Sequence, residues 1–253
     1  MKKVGISLSG GGSRGIVHIG ILKALDEAGL ILSRVTGTSA GSIVGSLYCY
    51  GYSPDKIMDI VRETKLLRYM RPAISMSGLL KLETILPLFE KYLPDNRFEA
   101  LKIPLVVAAT NLQKGKNVFF YQGELIKAVL ASCAIPVVFE PIRIGDDTYI
   151  DGGILNNLPV EPLIGHCDII IGSNCNPISD NYSPGNMRSL LERSLLMAIS
   201  VNTYNKRDMC DIFLEPERMK GIGGFDFSKA EEIFQIGYEY GKTMAPEIMK
   251  KVE

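Results

Sequence analysis

The sequence predicts one α/β domain over residues 1–253, a three-layer α/β/α arrangement around a mostly parallel central sheet. Three observations predict it. Residues 104–110 (PLVVAAT) and 168–173 (DIIIGS) are near-continuous apolar runs, the signature of strands buried on both faces. Such runs alternate with segments of helical spacing, as βα units do. The 253 residues, 46% hydrophobic and 22% charged, are enough for one large core and too apolar for a disordered chain.

The elements follow in order. Residues 4–9 alternate, are rich in β-formers, and run into Gly10-Gly11-Gly12. Ile16, Ile19, Leu22 and Leu25 recur at three-residue steps, which predicts an amphipathic helix over 15–28 closed by Gly29. Residues 35–37 read as a short strand. Residues 39–50 read as a helix whose Gly41, Ser42, Gly45 and Ser46 allow close packing on a sheet. Ser53 before Pro54 reads as an N-cap with proline at the first helical position, so 54–64 is expected to be helical.

Residues 65–94 are the least regular, with one helix suggested by Leu79, Leu82, Ile85, Leu86 and Phe89. After the strand at 104–110 come a strand at 118–121, a short helix at 124–132 and a strand end at 147–150. The strand at 168–173 is followed by a helix over 187–204, an edge strand at 212–214 and a helix over 228–250 with Ser228 as N-cap. No internal repeat, low-complexity tract or interdomain linker interrupts the chain.

Charge and cysteine content exclude several classes. The 28 Lys+Arg cancel the 28 Asp+Glu, which argues against a strongly basic nucleic-acid or phosphate-binding domain. The balance is uneven: residues 1–126 hold 16 basic and 10 acidic residues, net +6, and 127–253 hold 12 and 18, net −6. No apolar run approaches the roughly 18–20 residues of a membrane span, and no cleavage site follows the basic start. The expectation is a cytoplasmic protein beginning near Met1. Cys49, Cys133, Cys167, Cys175 and Cys210 form no CxxC pair, which fits free thiols in a reducing compartment. With only His18 and His166 as histidines, no zinc site is expected, and no other metal or cofactor is indicated.

Three local patterns carry chemistry. In the first, Gly10-Gly11-Gly12-Ser13-Arg14-Gly15 lies between a strand and a helix. As GxGxxG it could bind a dinucleotide, but that reading needs an acid at the end of the second strand. Here that strand reads Arg34-Val35-Thr36-Gly37. The alternative is a turn whose backbone N–H groups, at a helix N-terminus, bind negative charge as an oxyanion hole would. In the second, Gly37-Thr38-Ser39-Ala40-Gly41 is a GxSxG between strand and helix, a setting that projects a serine hydroxyl outward. Its competing reading is a turn with Ser39 capping the helix. In the third, Asp151-Gly152-Gly153 follows a strand end. Its carboxylate can face a cleft or simply form a turn.

Neither histidine suits a Ser–His–Asp triad. His166 directly precedes a strand and so lies at the edge opposite the strand C-termini, and His18 sits one turn into the first helix. An activated Ser39 must therefore use a carboxylate. Gly241-Lys242-Thr243 is rejected as a P-loop, since the required glycine position holds Ile236. Cys133 has no histidine partner and reads as a small buried residue.

The set GGGSRG, GTSAG and DGG, in this order, resembles the patatin-like phospholipase family. Residues 131–136 (ASCAIP) and 151–160 (DGGILNNLPV) also resemble it, and the likeness covers roughly 4–175. Residues 176–253 carry no motif. The resemblance implies a Ser–Asp dyad hydrolase acting on acyl esters, usually of lipids, with Ser39 as nucleophile and Asp151 as base. The amides around Gly11, Gly12 and Ser13 would form the oxyanion hole. Gly10, Arg14, Gly15, Gly37, Gly41, Gly152 and Gly153 would support it. Many family members carry Asp before the glycine run, where this chain has Ser9.

Residues 65–94 are expected to cap the site. Lys65, Arg68, Arg71, Lys81 and Lys91 against Glu83 and Glu90 give +3 within 65–91, with Met70, Ile74, Met76, Leu79 and Leu80 between them. Such a cap suits an anionic amphiphile and a transient, local membrane-surface contact; an ordinary solvated helix is the alternative. The partner expected is a lipid or acyl ester, not a nucleic acid, and oligomeric state is not indicated. Two other functional classes stay open at this stage: a regulatory or binding protein that keeps the fold without turnover, and a dinucleotide-dependent oxidoreductase.

Overall fold

The computed structural model describes residues 2–64, 72–75, 78–80, 82–183 and 185–252. β1 (Val4–Leu8) and β2 (Leu32–Thr38) flank α1 (Ile16–Glu27). α2 (Ala40–Tyr50) and α3 (Pro54–Glu63) follow β2. β3 (Pro72–Ser75), β4 (Gly78–Leu80) and α4 (Leu86–Tyr92) lie in the expected cap region. Next come β5 (Leu105–Asn111), β6 (Lys116–Phe120), α5 (Leu125–Ser132), β7 (Val137–Phe139), β8 (Ile142–Ile144) and β9 (Asp147–Asp151). β10 (Ile169–Ser173), α6 (Met187–Tyr204), β11 (Ile212–Leu214) and α7 (Ala230–Val252) complete the chain.

The main sheet has the order β11-β10-β1-β2-β5-β9-β8, with β6 also on β5. Strands β11 to β5 are parallel. The rest are antiparallel: β6 and β9 on β5, and β8 on β9. The order places the glycine turn after β1 and Ser39 after β2 at the C-terminal ends of adjacent strands, where α/β sheets keep their ligand sites.

β1 shows how sequence alternation divides the molecule. Val4, Ile6 and Leu8 enter the main core with α1, α2 and α7 residues. Gly5 faces the other way, against Leu163 and Cys167. On β10, Ile169 and Ile171 join the main core while Ile170 packs with Leu158, Val160 and Leu163. The second sheet face is thus covered in part by the turn-rich segment 152–164. α1 ends as its sequence predicts: Gly29 adopts φ +82° and the Leu30 amide reaches back to the Leu25 carbonyl at 3.0 Å. Ser53 caps α3 by accepting from the Lys56 amide at 3.3 Å, with Pro54 at the first position.

Four features depart from expectation. The strand expected at 35–37 is longer, Leu32–Thr38. Ser228 does not cap α7; it lies inside a 3-10 turn, Phe227–Lys229, and its hydroxyl donates to Asp226 at 2.5 Å. β7 and β8 occupy a stretch in which no strand is expected. The helix suggested within the cap region is present but short, Leu86–Tyr92, while Leu79 lies in β4; β3 and β4 pair antiparallel, and β4 joins β7 in parallel, forming a second sheet. Lys65, Arg68, Met70, Arg71, Met76 and Lys81 lie outside the described residues. Among the described residues no helix is long and apolar enough to cross a membrane.

α1 and α7 meet where Gly20 and Gly237 let the backbones touch. A Cβ on Gly237 would overlap the Val17 carbonyl. In an ordinary helix interior Gly→Ala stabilises by about 1 kcal/mol. Here overpacking reverses the sign, and Gly237→Ala is expected to cost about 1–3 kcal/mol, a Tm drop of several degrees for a chain this size. A raised Tm in thermal unfolding would refute this packing.

Candidate active site

The strand pairing brings Ser39 to Asp151. β2 ends with Thr38 opposite Ala108 of β5, and β9 ends with Asp151 opposite Ala109. β6 pairs with residues 107–111 of β5 and so occupies its other edge. The ends of β2 and β9 therefore meet head to head along one edge of β5. The Ser39 hydroxyl donates to Asp151 Oδ2 at 2.6 Å, and both residues are buried, at 5% and 6% exposure.

Ser39 sits on a strained turn, with φ 51° and ψ −123°, a conformation that costs a non-glycine residue about 1–3 kcal/mol. Its surroundings hold it there. The Ser39 amide donates to Ser132 Oγ at 2.8 Å, and Ser132 donates to the Ala108 carbonyl at 2.6 Å. The flanking glycines are needed sterically: a Cβ on Gly37 would lie 2.6 Å from the Gly41 carbonyl, and one on Gly41 would overlap the Leu8 carbonyl. Ser39 stands at the α2 N-cap but makes no side-chain capping bond. Its hydroxyl is committed to Asp151, which excludes the capping reading.

Asp151 makes a turn and faces Ser39 at once. Its Oδ1 accepts from the Gly153 amide at 2.7 Å while Oδ2 accepts from Ser39. Its own amide donates to the Ala134 carbonyl at 2.9 Å, which ties in the segment 131–136. A Cβ on Gly152 would overlap the Ala108 carbonyl. Burial pushes the carboxyl up from 3.8 to about 6, and the bonds from Ser39 and Gly153 pull in the opposite direction.

The glycine turn packs directly against the serine: a Cβ on Gly10 would lie 3.0 Å from Ser39 Cβ, and one on Gly15 would contact Ala40 Cβ at 2.5 Å. The Gly10 amide donates to the Asn157 carbonyl at 3.2 Å. Among the described residues the Gly11 and Gly12 amides donate to nothing. The Ser13 amide does not share this freedom. It donates to the Gly224 carbonyl at 2.7 Å, so of the three amides expected to bind an oxyanion, two are available in this structure. Arg14 bonds neither Ser39 nor Asp151; its Nε donates to the Ile222 carbonyl at 2.6 Å and Nη1 to Asn176 Oδ1 at 3.2 Å.

Both histidines are away from the chemistry. His18 is fully buried, its Nδ1 2.9 Å from Ser173 Oγ and its Nε2 3.0 Å from the Ser9 carbonyl. Burial lowers its pKa to about 4, so the ring is a neutral strut behind the glycine turn. His166 is exposed just before β10. Ser9, where many family members carry Asp, accepts from the Cys175 amide at 3.0 Å. Burial pushes the Cys133 thiol up, which keeps it neutral.

Further residues of the site come from the region without motifs. Asn202 on α6 accepts from the Asn157 amide at 2.9 Å and donates to the Gly153 carbonyl at 3.2 Å. Thr203 bonds Asn157 Nδ2 at 3.3 Å. No spacing in the sequence marks them. Among the described residues no group of His, Cys, Asp and Glu is arranged to hold a metal ion.

A serine on a strand-to-helix elbow, a carboxylate from an antiparallel neighbour and a glycine turn with free amides, all at one end of an α/β sheet, define the patatin class of fold. The chain belongs to the patatin-like phospholipase family, whose profile matches residues 6–164. It is 35% identical over 186 residues to an uncharacterized NTE family protein of Mycobacterium tuberculosis, an alignment covering 70% of this chain and 52% of that protein. It is 26% identical over 275 residues to lysophospholipase nte1 of Aspergillus fumigatus, covering 95% of this chain and 18% of that protein. The chain thus spans about half the length of the bacterial relative and a smaller share of the fungal one. Two solved structures share the fold: VipD from Legionella pneumophila, with a TM-score of 0.56, 16% identity and coverage of 99% and 67%, and the SpcU–ExoU complex of Pseudomonas aeruginosa, with 0.51, 13%, 100% and 53%.

The raised carboxyl has a consequence for stability. With its pKa moved from 3.8 to about 6 in the folded state, Asp151 favours folding when protonated. That contribution is complete below about pH 4 and is lost as pH rises through 6. Asp151→Asn is therefore expected to stabilise the protein at pH 7 by about 1–3 kcal/mol, with the gain disappearing towards pH 4. Denaturant unfolding at the two pH values checks this; a gain independent of pH would exclude the carboxylate as its source.

Proposed function

We propose that the protein is a serine acyl-ester hydrolase that releases fatty acid from phospholipid or other lipid esters. The observation that carries this reading is the 2.6 Å hydrogen bond from Ser39 to a buried Asp151, beside two unpartnered amides of a glycine turn. As Ser39 Oγ attacks the ester carbonyl, its proton passes to Asp151, and the Gly11 and Gly12 amides receive the developing oxyanion. The positive N-terminal end of α2 adds to this field. Collapse of the tetrahedral intermediate expels the alcohol, which takes the proton from Asp151. Water then attacks the acyl-enzyme, the same carboxylate accepts its proton, and the acid is released with Ser39 restored. A carboxyl poised near 6 is a stronger base than an ordinary aspartate and still mostly ionised at neutral pH.

The surface beside the dyad supports an apolar substrate. Met187, Leu190, Leu191, Leu195, Met197 and Val201 of α6 are all exposed, Met187 at 88%. Their spacing puts them on one helical stripe. Ile154 and Leu155, just past Asp151-Gly152-Gly153, are exposed as well. Ile199 of the same helix lies against Gly153. The lipid aggregate is accordingly proposed to meet α6, alongside the expected contact at 65–94.

Ser39→Ala is expected to lower hydrolysis of a p-nitrophenyl ester by about 10³-fold or more and to abolish labelling by a fluorophosphonate probe, with the protein still folded. Retained labelling would remove Ser39 as nucleophile. The acid limb of kcat/KM should fall with an apparent pKa near 6, because protonated Asp151 cannot accept the serine proton. A chain-length series of the same esters then reports acyl preference. The paired change Leu191→Glu with Leu195→Glu should raise KM for phospholipid vesicles at least about 5-fold more than KM for a short-chain soluble ester; equal effects on both would place the lipid contact elsewhere.

A further inference from the structure

A strap from the C-terminal third of the chain holds the glycine turn. Three consecutive carbonyls accept from two consecutive residues of the turn: Ile222 O from Arg14 Nε at 2.6 Å, Gly223 O from Ser13 Oγ at 3.1 Å, and Gly224 O from the Ser13 amide at 2.7 Å. Gly12, at φ +60°, makes this approach possible, since a Cβ there would overlap the Gly224 carbonyl. Ile222, buried in the core, anchors one end of the strap, and one side chain fixes the other. Glu192 Oε1 on α6 accepts from the Gly224 amide at 2.6 Å and lies 3.8 Å from Arg14 Nη2. A single carboxylate oxygen therefore receives both the amide of the strap and the charge of the turn it grips.

We propose that Glu192 is a positioning residue of the oxyanion site, acting through the Gly223-Gly224 strap. The inference rests on the hydrolase reading. With the Ser13 amide bonded to Gly224, the Gly12–Ser13 peptide plane is held, next to the Gly11 and Gly12 amides that have no partner among the described residues. Without Glu192 the strap loses its amide acceptor and Arg14 its carboxylate. The Gly223 and Gly224 carbonyls that hold Ser13 are then fixed only through Ile222, and the donors of the oxyanion site lose preorganisation. Transition-state stabilisation depends on that preorganisation more than ground-state binding does. The loss should thus appear in kcat and not in KM.

The test compares Glu192→Ala with Glu192→Gln. Glutamine keeps an oxygen for the Gly224 amide while it removes the charge and replaces the other carboxylate oxygen by an NH2 group. Expected for a soluble p-nitrophenyl ester is a kcat at least about 10-fold lower in the alanine variant with KM within about 3-fold of wild type, and rescue by glutamine to within about 3-fold of wild-type kcat. An alanine variant with wild-type kcat, or equal losses in both variants accompanied by the same fall in Tm, would overturn the proposal. Hydrogen–deuterium exchange of the peptide spanning 9–15 gives a readout that needs no turnover. It should exchange at least about 10-fold faster in Glu192→Ala than in wild type or Glu192→Gln; unchanged exchange overturns the positioning role. Wild-type protein that turns over no ester while this exchange pattern holds would count against the hydrolase reading alone.

Discussion

The site depends on one strand, β5, which serves two others along the same edge. Ala108 faces the last residue of β2 and Ala109 the last residue of β9. One strand arrives parallel and the other antiparallel, so their ends converge. This is the physical reason that residues 39 and 151 can share a hydrogen bond of 2.6 Å. An all-parallel sheet would carry both strand ends in the same direction and leave the acid at the end of a neighbouring strand. The antiparallel half of the sheet is thus the device that delivers the acid. The small side chains of Ala108 and Ala109, both fully buried, suit a seam where three backbones meet.

Convergence brings electrostatic and steric costs. Closing the seam buries Asp151, and desolvation opposes its charge more than the bonds from Ser39 and Gly153 relieve it. The fold tolerates a partly unfavourable carboxylate at neutral pH because the rest of the core offsets it. The same trade appears at Ser39, whose positive φ is held by Ser132 and by glycines with no room for a side chain. Backbone strain at Ser39 and desolvation at Asp151 thus concentrate local cost at the two residues proposed to act together. His18 adds a second layer of support: buried and neutral, it braces the Ser9 carbonyl from behind without competing for the serine proton.

What was legible in the sequence was what local spacing encodes. The three-residue steps from Ile16 to Leu25, the Ser53-Pro54 start and the apolar runs of β5 and β10 all express period or capping, and the structure follows them. GTSAG and DGG were legible as turns because glycine marks backbone that cannot carry a Cβ. Their meeting is not legible from the residues themselves, because it depends on β9 joining β5 from the other direction, which brings together two residues 112 positions apart in the chain. β7 and β8 escape the sequence because each is three residues long, too short for alternation to register; β7 exists by pairing with the distant β4, and β8 by a hairpin with β9. Ser228 failed as a cap because a 3-10 turn intervenes. The occupied Ser13 amide was equally invisible, since its partner is a carbonyl at Gly224.

α6 unites these observations. Its polar side chains Asn202 and Thr203 reach the loop after Asp151, and Glu192 reaches the strap over the glycine turn. Its outward side carries the apolar stripe. Asn157 closes the circuit, with its carbonyl accepting from Gly10 and its side chain bonded to Thr203. The two halves of the site, Asp151 and the glycine turn, follow strands that are not neighbours, β9 and β1, and one helix bonds to the segments that hold both. A helix spent only on covering the sheet would bury its apolar residues. This one uses polar side chains to grip the site and leaves apolar residues outside, so whatever those residues meet is mechanically one rigid element away from both the glycine turn and Asp151.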